Sequence, residues 1–220
     1  MRVGTEGEPI LIFDGAMERP DALVAIAAEQ ARFSEDGAGH RLYPGLGAPA
    51  PAAYVQAVVA ALDRPLRQVF ELGTRRQREV TSRLSIVTRQ PDELQPLQRV
   101  PHVDTTNPLQ FAILHYLCDE RFNGTGFFRH RATGFETITP DRVNAFAAAR
   151  TPEMEVPATG GYIAGDTPLY EQIGAVEAKF DRLVVYRSCL LHSGLVGDAS
   201  LLSADPRLGR LTANIFLTYH

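Results

Sequence analysis

From Val80 to the C-terminus the apolar residues come in short runs, each closed by glycine, proline or polar turn residues, and this pattern restricts the fold more than any other feature. The runs at 80–88, 112–118, 126–131, 161–164, 182–191 and 211–219 are of strand length and rich in Val, Ile, Leu, Phe and Tyr. Strands this short bury their apolar faces only by packing sheet on sheet or by closing on themselves. The pattern therefore predicts a mainly β fold with flanking α-helices, arranged as a closed or double-sheet jelly roll. The 18 glycines and 15 prolines fall between the runs and supply the turns.

Ahead of residue 80 the periodicity changes to helical. Residues 9–14 read as a short entry strand. Residues 20–33 carry Leu23, Ile26, Ala27 and Ala31 at helical spacing, with Pro20 and Asp21 at the start, which predicts an amphipathic helix. Residues 34–50 read as loop, 51–62 as a second helix and 65–72 as a third. There is no internal repeat and no long linker, and 220 residues with 45% apolar content suit one well-buried domain. The expected organisation is a helical support (1–79) packed on the outside of a jelly-roll core (80–220). Within that core, 132–181 is expected to form a lid-like insertion, with a helix near 140–150 and an irregular remainder.

Charge and targeting signals narrow the setting. The net charge is −4, and the densest basic patch, residues 73–79, is interrupted by an acid and has no interleaved aromatics, so a nucleic-acid partner is not expected. No run approaches the ~18 apolar residues of a membrane helix. The N-terminal residues lack the apolar segment of a signal peptide, and the expectation is a cytoplasmic protein with no membrane association. Cys118 and Cys189 both sit inside apolar runs, which predicts buried thiols rather than a disulfide.

The chemistry begins at Pro101-His-Val-Asp-Thr-Thr-Asn107. On an extended strand His102 and Asp104 project to the same side, so an imidazole nitrogen and a carboxylate oxygen can reach one metal ion. Such a pair alone arises readily by chance in a chain this long. Its setting makes it informative, because His192 ends a later apolar run and would complete two histidines and a carboxylate, the facial set that leaves open positions on Fe(II). Arg210 then opens the last apolar run, with Thr212 two residues on.

With these elements in this order, the chain resembles the Fe(II)/2-oxoglutarate-dependent dioxygenases, nearest the prolyl-4-hydroxylase-like branch. The matching residues are His102-Val-Asp104, Tyr116-Leu117, Gly124-Thr-Gly126, His192, and Arg210 with Thr212, spread over residues 80–220. The blocks Gly124-Thr-Gly-Phe-Phe-Arg-His130, Gly161-Tyr-Ile-Ala-Gly-Asp-Thr167 and Tyr186-Arg-Ser-Cys-Leu-Leu-His-Ser-Gly194 further resemble an uncharacterised bacterial family within that superfamily. The resemblance implies a double-stranded β-helix in which His102, Asp104 and His192 ligate Fe(II). It also implies that 2-oxoglutarate is bound as cosubstrate, its far carboxylate held by Arg210, Thr212 and Tyr116. The implied reaction consumes O2, releases succinate and CO2, and hydroxylates an unactivated C–H of an amino acid, a peptide or protein side chain, or a small metabolite. Halogenases of the superfamily lack the carboxylate ligand, so Asp104 favours hydroxylation. The spacing from His192 to Arg210 is longer than is usual in this branch.

Other polar residues read more simply. His115 is expected on the sheet face opposite Tyr116, and His130, His40 and His220 have no partner at ligand spacing. Asp166-Thr167 and Tyr170-Glu171 are candidate substrate contacts in the insertion, with turn capping as the plainer role. Arg187 is expected to face inward and to pair with Asp104 or substrate. Two other classes remain open: a cupin-like metal enzyme that does not use 2-oxoglutarate, and a non-catalytic jelly-roll binding module.

Overall fold

The last strand, β11 (Arg210–Tyr219), pairs antiparallel with β5 (Gln77–Val87) on one side and β6 (Gln110–Tyr116) on the other. Outward from these lie β9 (Arg182–Arg187) and β3 (Leu11–Asp14) beyond β6, and β4 (Gly45–Ala48) beyond β5. These six strands, in the order β3-β9-β6-β11-β5-β4, form the major sheet. A minor antiparallel sheet runs β10 (His192–Gly194), β7 (Gly124–His130), β8 (Tyr170–Glu177). β1 (Arg2–Val3) and β2 (Glu8–Pro9) form a small ladder of their own. The computed structural model describes residues 1–35, 43–154 and 160–220.

Alternation along the strands gives the major sheet two different faces. Leu211, Ala213, Ile215 and Leu217 of β11 join Phe111 and Ile113 of β6 in a buried cluster with two helices, α1 (Pro20–Glu29) and α2 (Ala52–Val69). The opposite face carries Ala112, Leu114 and Tyr116 of β6 and Val184 and Tyr186 of β9, which pack against Phe127 and Val176 of the minor sheet. The result is two facing antiparallel sheets with helices on one outer side, consistent with the β-rich expectation.

α2 is one continuous helix through Pro65, where two helices were expected. An interior proline costs about 3 kcal/mol. The buried stripe Tyr54, Val55, Val58, Val59, Leu62 and Leu66 continues past it, and each fully buried aliphatic side chain returns roughly 1.5–3 kcal/mol. Continuing the helix therefore wins.

Three strand expectations need correction. Residues 161–164 are not a strand: they are bends docked against the 89–99 stretch, with the Tyr162 hydroxyl donating to the Arg89 carbonyl at 2.7 Å. The 182–191 run is split, because β9 ends at Arg187 and a turn at 188–189 redirects the chain into β10 on the other sheet. β4, inside the expected 34–50 loop, pairs with β5, and β8, inside the expected insertion, pairs with β7. β8 was hidden because Tyr170-Glu-Gln-Ile-Gly-Ala-Val-Glu177 alternates poorly and buries only Tyr170 and Val176. Ahead of β8 the chain contributes α3 (Val143–Met154), and Phe146, Ile163 and Tyr170 share a small cluster with Phe128.

Cys118 and Cys189 are free and buried, and burial pushes each thiol up to about 11. Among the described residues no helix is long and apolar enough to cross a membrane.

Candidate metal centre

His102 and Asp104 lie between β5 and β6, outside any named strand. His102 nonetheless makes an isolated antiparallel bridge with His192, each backbone N–H donating to the other's carbonyl at 2.9 Å, and the Asp104 N–H donates to the Ser188 carbonyl at 2.9 Å. The segment is thus held extended along the start of β10, which brings side chains 88 positions apart in sequence to one place.

The ligand atoms of His102, Asp104 and His192 all lie within 4.8 Å of one another. His192 Nε2 is 3.7 Å from one Asp104 oxygen and His102 Nε2 is 3.9 Å from the other, too long for hydrogen bonds. Two atoms each about 2.1 Å from one divalent ion are at most about 4.2 Å apart, so both spacings suit shared ligation. His192 Nδ1 is 2.8 Å from the Leu190 carbonyl, which can only accept. That bond places the proton on Nδ1 and leaves Nε2 with its lone pair toward the cluster, the arrangement a metal-ligating imidazole needs. By donor set and tautomer, these residues fit a divalent ion that keeps open positions. His192 is buried, whereas the His102 side chain is 36% exposed and marks the open side.

The cluster borders a cavity of ≈ 130 Å³ between the two sheets, which Arg210 and Thr212 also line. Arg210 is 4% exposed. Its Nε donates to the Phe122 carbonyl at 3.3 Å and its Nη2 to the Gly124 carbonyl at 2.8 Å, and among the described residues it has no ion pair. It packs against Gly194, two residues past His192 on β10, where a Cβ would sit in ordinary contact, 3.7 Å from Arg210 Nη2. Thr212 accepts from the Asn214 amide at 3.1 Å.

Tyr116 is placed differently from these two. Its hydroxyl is 2.6 Å from Thr125 Oγ1, its ring lies 5.8 Å from the Arg210 guanidinium carbon, and it does not line the cavity. Three other tyrosines do: Tyr43, Tyr162 and Tyr186. The Tyr43 hydroxyl lies toward Thr212 and Arg210 yet meets the geometry of a hydrogen bond with no described residue, and burial pushes it up to about 12. Sequence reasoning missed Tyr43, which sits in an apparent loop with no pattern around it. It also missed Arg83 and Asn214, although Arg83 shares strand parity with Ser85 and Thr212 with Asn214, and both pairs line the cavity.

The remaining residues have structural partners. His115 is fully buried on the helix side, its Nδ1 3.0 Å from the Tyr54 hydroxyl and its Nε2 2.9 Å from Asp181. His130 meets Thr133 at 2.9 Å and Glu153 at 3.0 Å. Asp166 accepts from the Gln172 N–H and Thr167 from the Tyr170 N–H, both turn contacts, while Glu171 pairs with Arg129. Arg187 does not face the cavity: it reaches Glu8 at 3.4 Å and lies over Phe70 and Phe111. The expectation failed because Arg187 stands an odd number of residues before His192, so Tyr186, six before it, takes the cavity face. His220 is exposed, and His40 lies outside the described residues.

Three solved structures illustrate what the chain is similar to. HygX from Streptomyces hygroscopicus, with nickel, 2-oxoglutarate and hygromycin B bound, aligns at a TM-score of 0.48 and 12% identity, over 97% of this chain and 84% of that one. The iron-bound form of HygX aligns at 0.45 and 10%, over 97% and 83%. An N-substituted L-amino acid dioxygenase from Burkholderia ambifaria AMMD, in complex with alpha-KG, aligns at 0.41 and 11%, over 97% and 83%. No curated protein matches the chain. The model of DUF6445, described as a family of unknown function, matches residues 1–217, and the chain belongs to that family.

Proposed function

We propose that this protein is an Fe(II)- and 2-oxoglutarate-dependent dioxygenase that hydroxylates a small molecule, built on a double-stranded β-helix of the prolyl-4-hydroxylase-like kind. The observation that carries the reading is one cavity holding both the His102–Asp104–His192 cluster and a buried arginine with no acidic partner among the described residues. The sequence resemblance supports it independently. Bound Fe(II), with 2-oxoglutarate, supplies the oxygen chemistry that yields succinate, CO2 and a hydroxylated C–H.

Each protein group then has a definite task. His192, oriented by the Leu190 carbonyl, and His102 would offer neutral nitrogens and Asp104 an anionic oxygen to a bound Fe(II), a donor set that leaves positions free for cosubstrate and oxygen. Arg210 is the receptor for the far carboxylate of 2-oxoglutarate. Two of its five N–H donors go to backbone carbonyls, and a guanidinium keeps its charge at any working pH. Thr212 adds a hydroxyl on the same strand face, and Gly194 packs against the Arg210 guanidinium. Tyr116 acts here from below, packing under Arg210 and bonding Thr125. From the segment 160–169, Tyr162 lines the cavity and is anchored by its hydroxyl to the Arg89 carbonyl.

The test is anaerobic titration of the protein with Fe(II) and then 2-oxoglutarate. A visible charge-transfer band that requires both, followed by succinate formation on admitting O2, is expected. Iron binding with no 2-oxoglutarate-dependent band would refute the proposal and leave a metal enzyme of another kind.

A further inference from the structure

Two arginines line the cavity, and 2-oxoglutarate accounts for one of them. Arg83 stands on β5 directly across from Asn214, four residues along the sheet from the Val87–Arg210 pair, or roughly 13 Å at ~3.3 Å per residue. The two cations therefore line the cavity from separate positions along the sheet. Arg210 lies against Gly194, and the Asp104 charge acts on Arg83.

Arg83 is half-buried and lies 5.5 Å from the centre of the Phe216 ring, yet it forms no ion pair or hydrogen bond with any described residue. Burial pulls it below the ordinary arginine value. A desolvated cation of this kind is costly unless something anionic meets it. Asp104 does not serve, because a metal ion on that carboxylate absorbs its charge.

Charge balance points the same way. Among the described residues, the fixed charges lining the cavity are Arg83, Arg210 and Asp104, an excess of one positive charge. Fe(II) and 2-oxoglutarate would cancel each other, so among the described residues that excess persists in the loaded site. We infer that Arg83 is the anchor for the primary substrate, and that this substrate is a monoanionic carboxylic acid with an apolar body lying along Phe216 and Leu114. A guanidinium binds a carboxylate through two parallel hydrogen bonds, and a dianionic phosphate ester would overshoot the balance. Because Arg83 is the more open of the two arginines, the substrate enters after the cosubstrate and over it. The inference deepens the proposed function and rests on it for the assignment of Arg210.

Calorimetry with benzoate, its uncharged isostere benzamide, and phenyl phosphate tests this. The protein is used anaerobically with Fe(II) and 2-oxoglutarate, and again with neither. Benzoate should bind at least ~10-fold tighter than benzamide, as expected for one charge-assisted pair, and tighter than phenyl phosphate. Arg83→Gln should erase the preference for benzoate while leaving 2-oxoglutarate affinity within about twofold, whereas Arg210→Gln should do the reverse. Arg83→Lys, which keeps the charge and loses the fork, should retain part of the preference, and thermal melts confirm that each variant is folded. No carboxylate preference in the parent protein, a preference that survives Arg83→Gln, tighter binding of phenyl phosphate, or loss of 2-oxoglutarate binding in Arg83→Gln each overturns the inference. If benzoate discrimination depends on Arg83 while 2-oxoglutarate does not bind the parent protein, the anion anchor stands and the dioxygenase reading falls.

Discussion

The two faces of the major sheet are made by the same strands and have opposite characters. On the helix side, β11 presents Leu211, Ala213, Ile215 and Leu217, all fully buried. The one histidine on that side, His115, spends both ring nitrogens on Tyr54 and Asp181. On the cavity side the same strand presents Arg210, Thr212, Asn214 and Phe216. There Arg210 has only carbonyl partners, and Tyr43 across from it has no hydrogen-bond partner among the described residues. A polar group buried in the helix-side core is satisfied internally, whereas those on the cavity face keep spare bonding capacity. The helix face carries the apolar core, and the cavity face carries the groups to which the proposed function assigns roles.

The sharpest break of this contrast is at the cluster. His192→Ala should lower turnover by more than about 100-fold, since loss of a ligand exceeds the ~10–100-fold cost of disturbing a metal's outer shell. The melting temperature of the metal-free protein should barely change. Full succinate production by His192→Ala would remove that residue from the ligand set.

Next in size is Arg210→Ala. Removing one member of a buried charge pair costs about 3–5 kcal/mol, so the dissociation constant for 2-oxoglutarate should rise by at least ~100-fold in equilibrium titrations. An unchanged constant would mean that another group holds the far carboxylate.

On the opposite face the expected effect is on folding. Ile215→Ala should cost about 2–5 kcal/mol in denaturant unfolding, with iron and 2-oxoglutarate affinities kept. If it weakens binding as much as folding, the two faces are not separable.

The smallest effect belongs to His115. Burial lowers its pKa in the folded protein, so above the ordinary value of about 6.5 both folded and unfolded chains hold it neutral and it adds no pH dependence. As pH falls below that value the unfolded chain takes up a proton that the folded chain refuses, and stability declines until the lowered folded pKa is passed. His115→Gln should flatten that part of the stability profile while leaving its slope at higher pH unchanged. An identical acid slope in the variant would show that other groups carry it.

Much of the architecture could be read in advance, because apolar periodicity reports burial directly. β5, β6, β7, β9 and β11 each carry strand-length apolar runs, and α1 and α2 carry helical stripes. β8 and β4 escaped because neighbours in space supply their burial: β8 buries only two residues, and β4 is Gly-Leu-Gly-Ala. The split of the 182–191 run into two strands on different sheets was equally invisible, since an apolar run does not say which sheet it serves.

The local spacing of His102 and Asp104, the parity of Arg210 with Thr212 and the alternation of His115 against Tyr116 were legible from the chain alone, because they depend only on the pitch of an extended backbone. Tertiary structure alone decided that His192 lies beside His102, through a two-bond bridge between segments 90 residues apart. It also decided that Tyr116 turns to Thr125 and that Tyr43 and Arg83 enter the cavity. Those outcomes depend on which strand pairs with which and on how the loops between strands fold back over the sheet. Both are settled by the packing of the whole molecule, and no local stretch of residues encodes them.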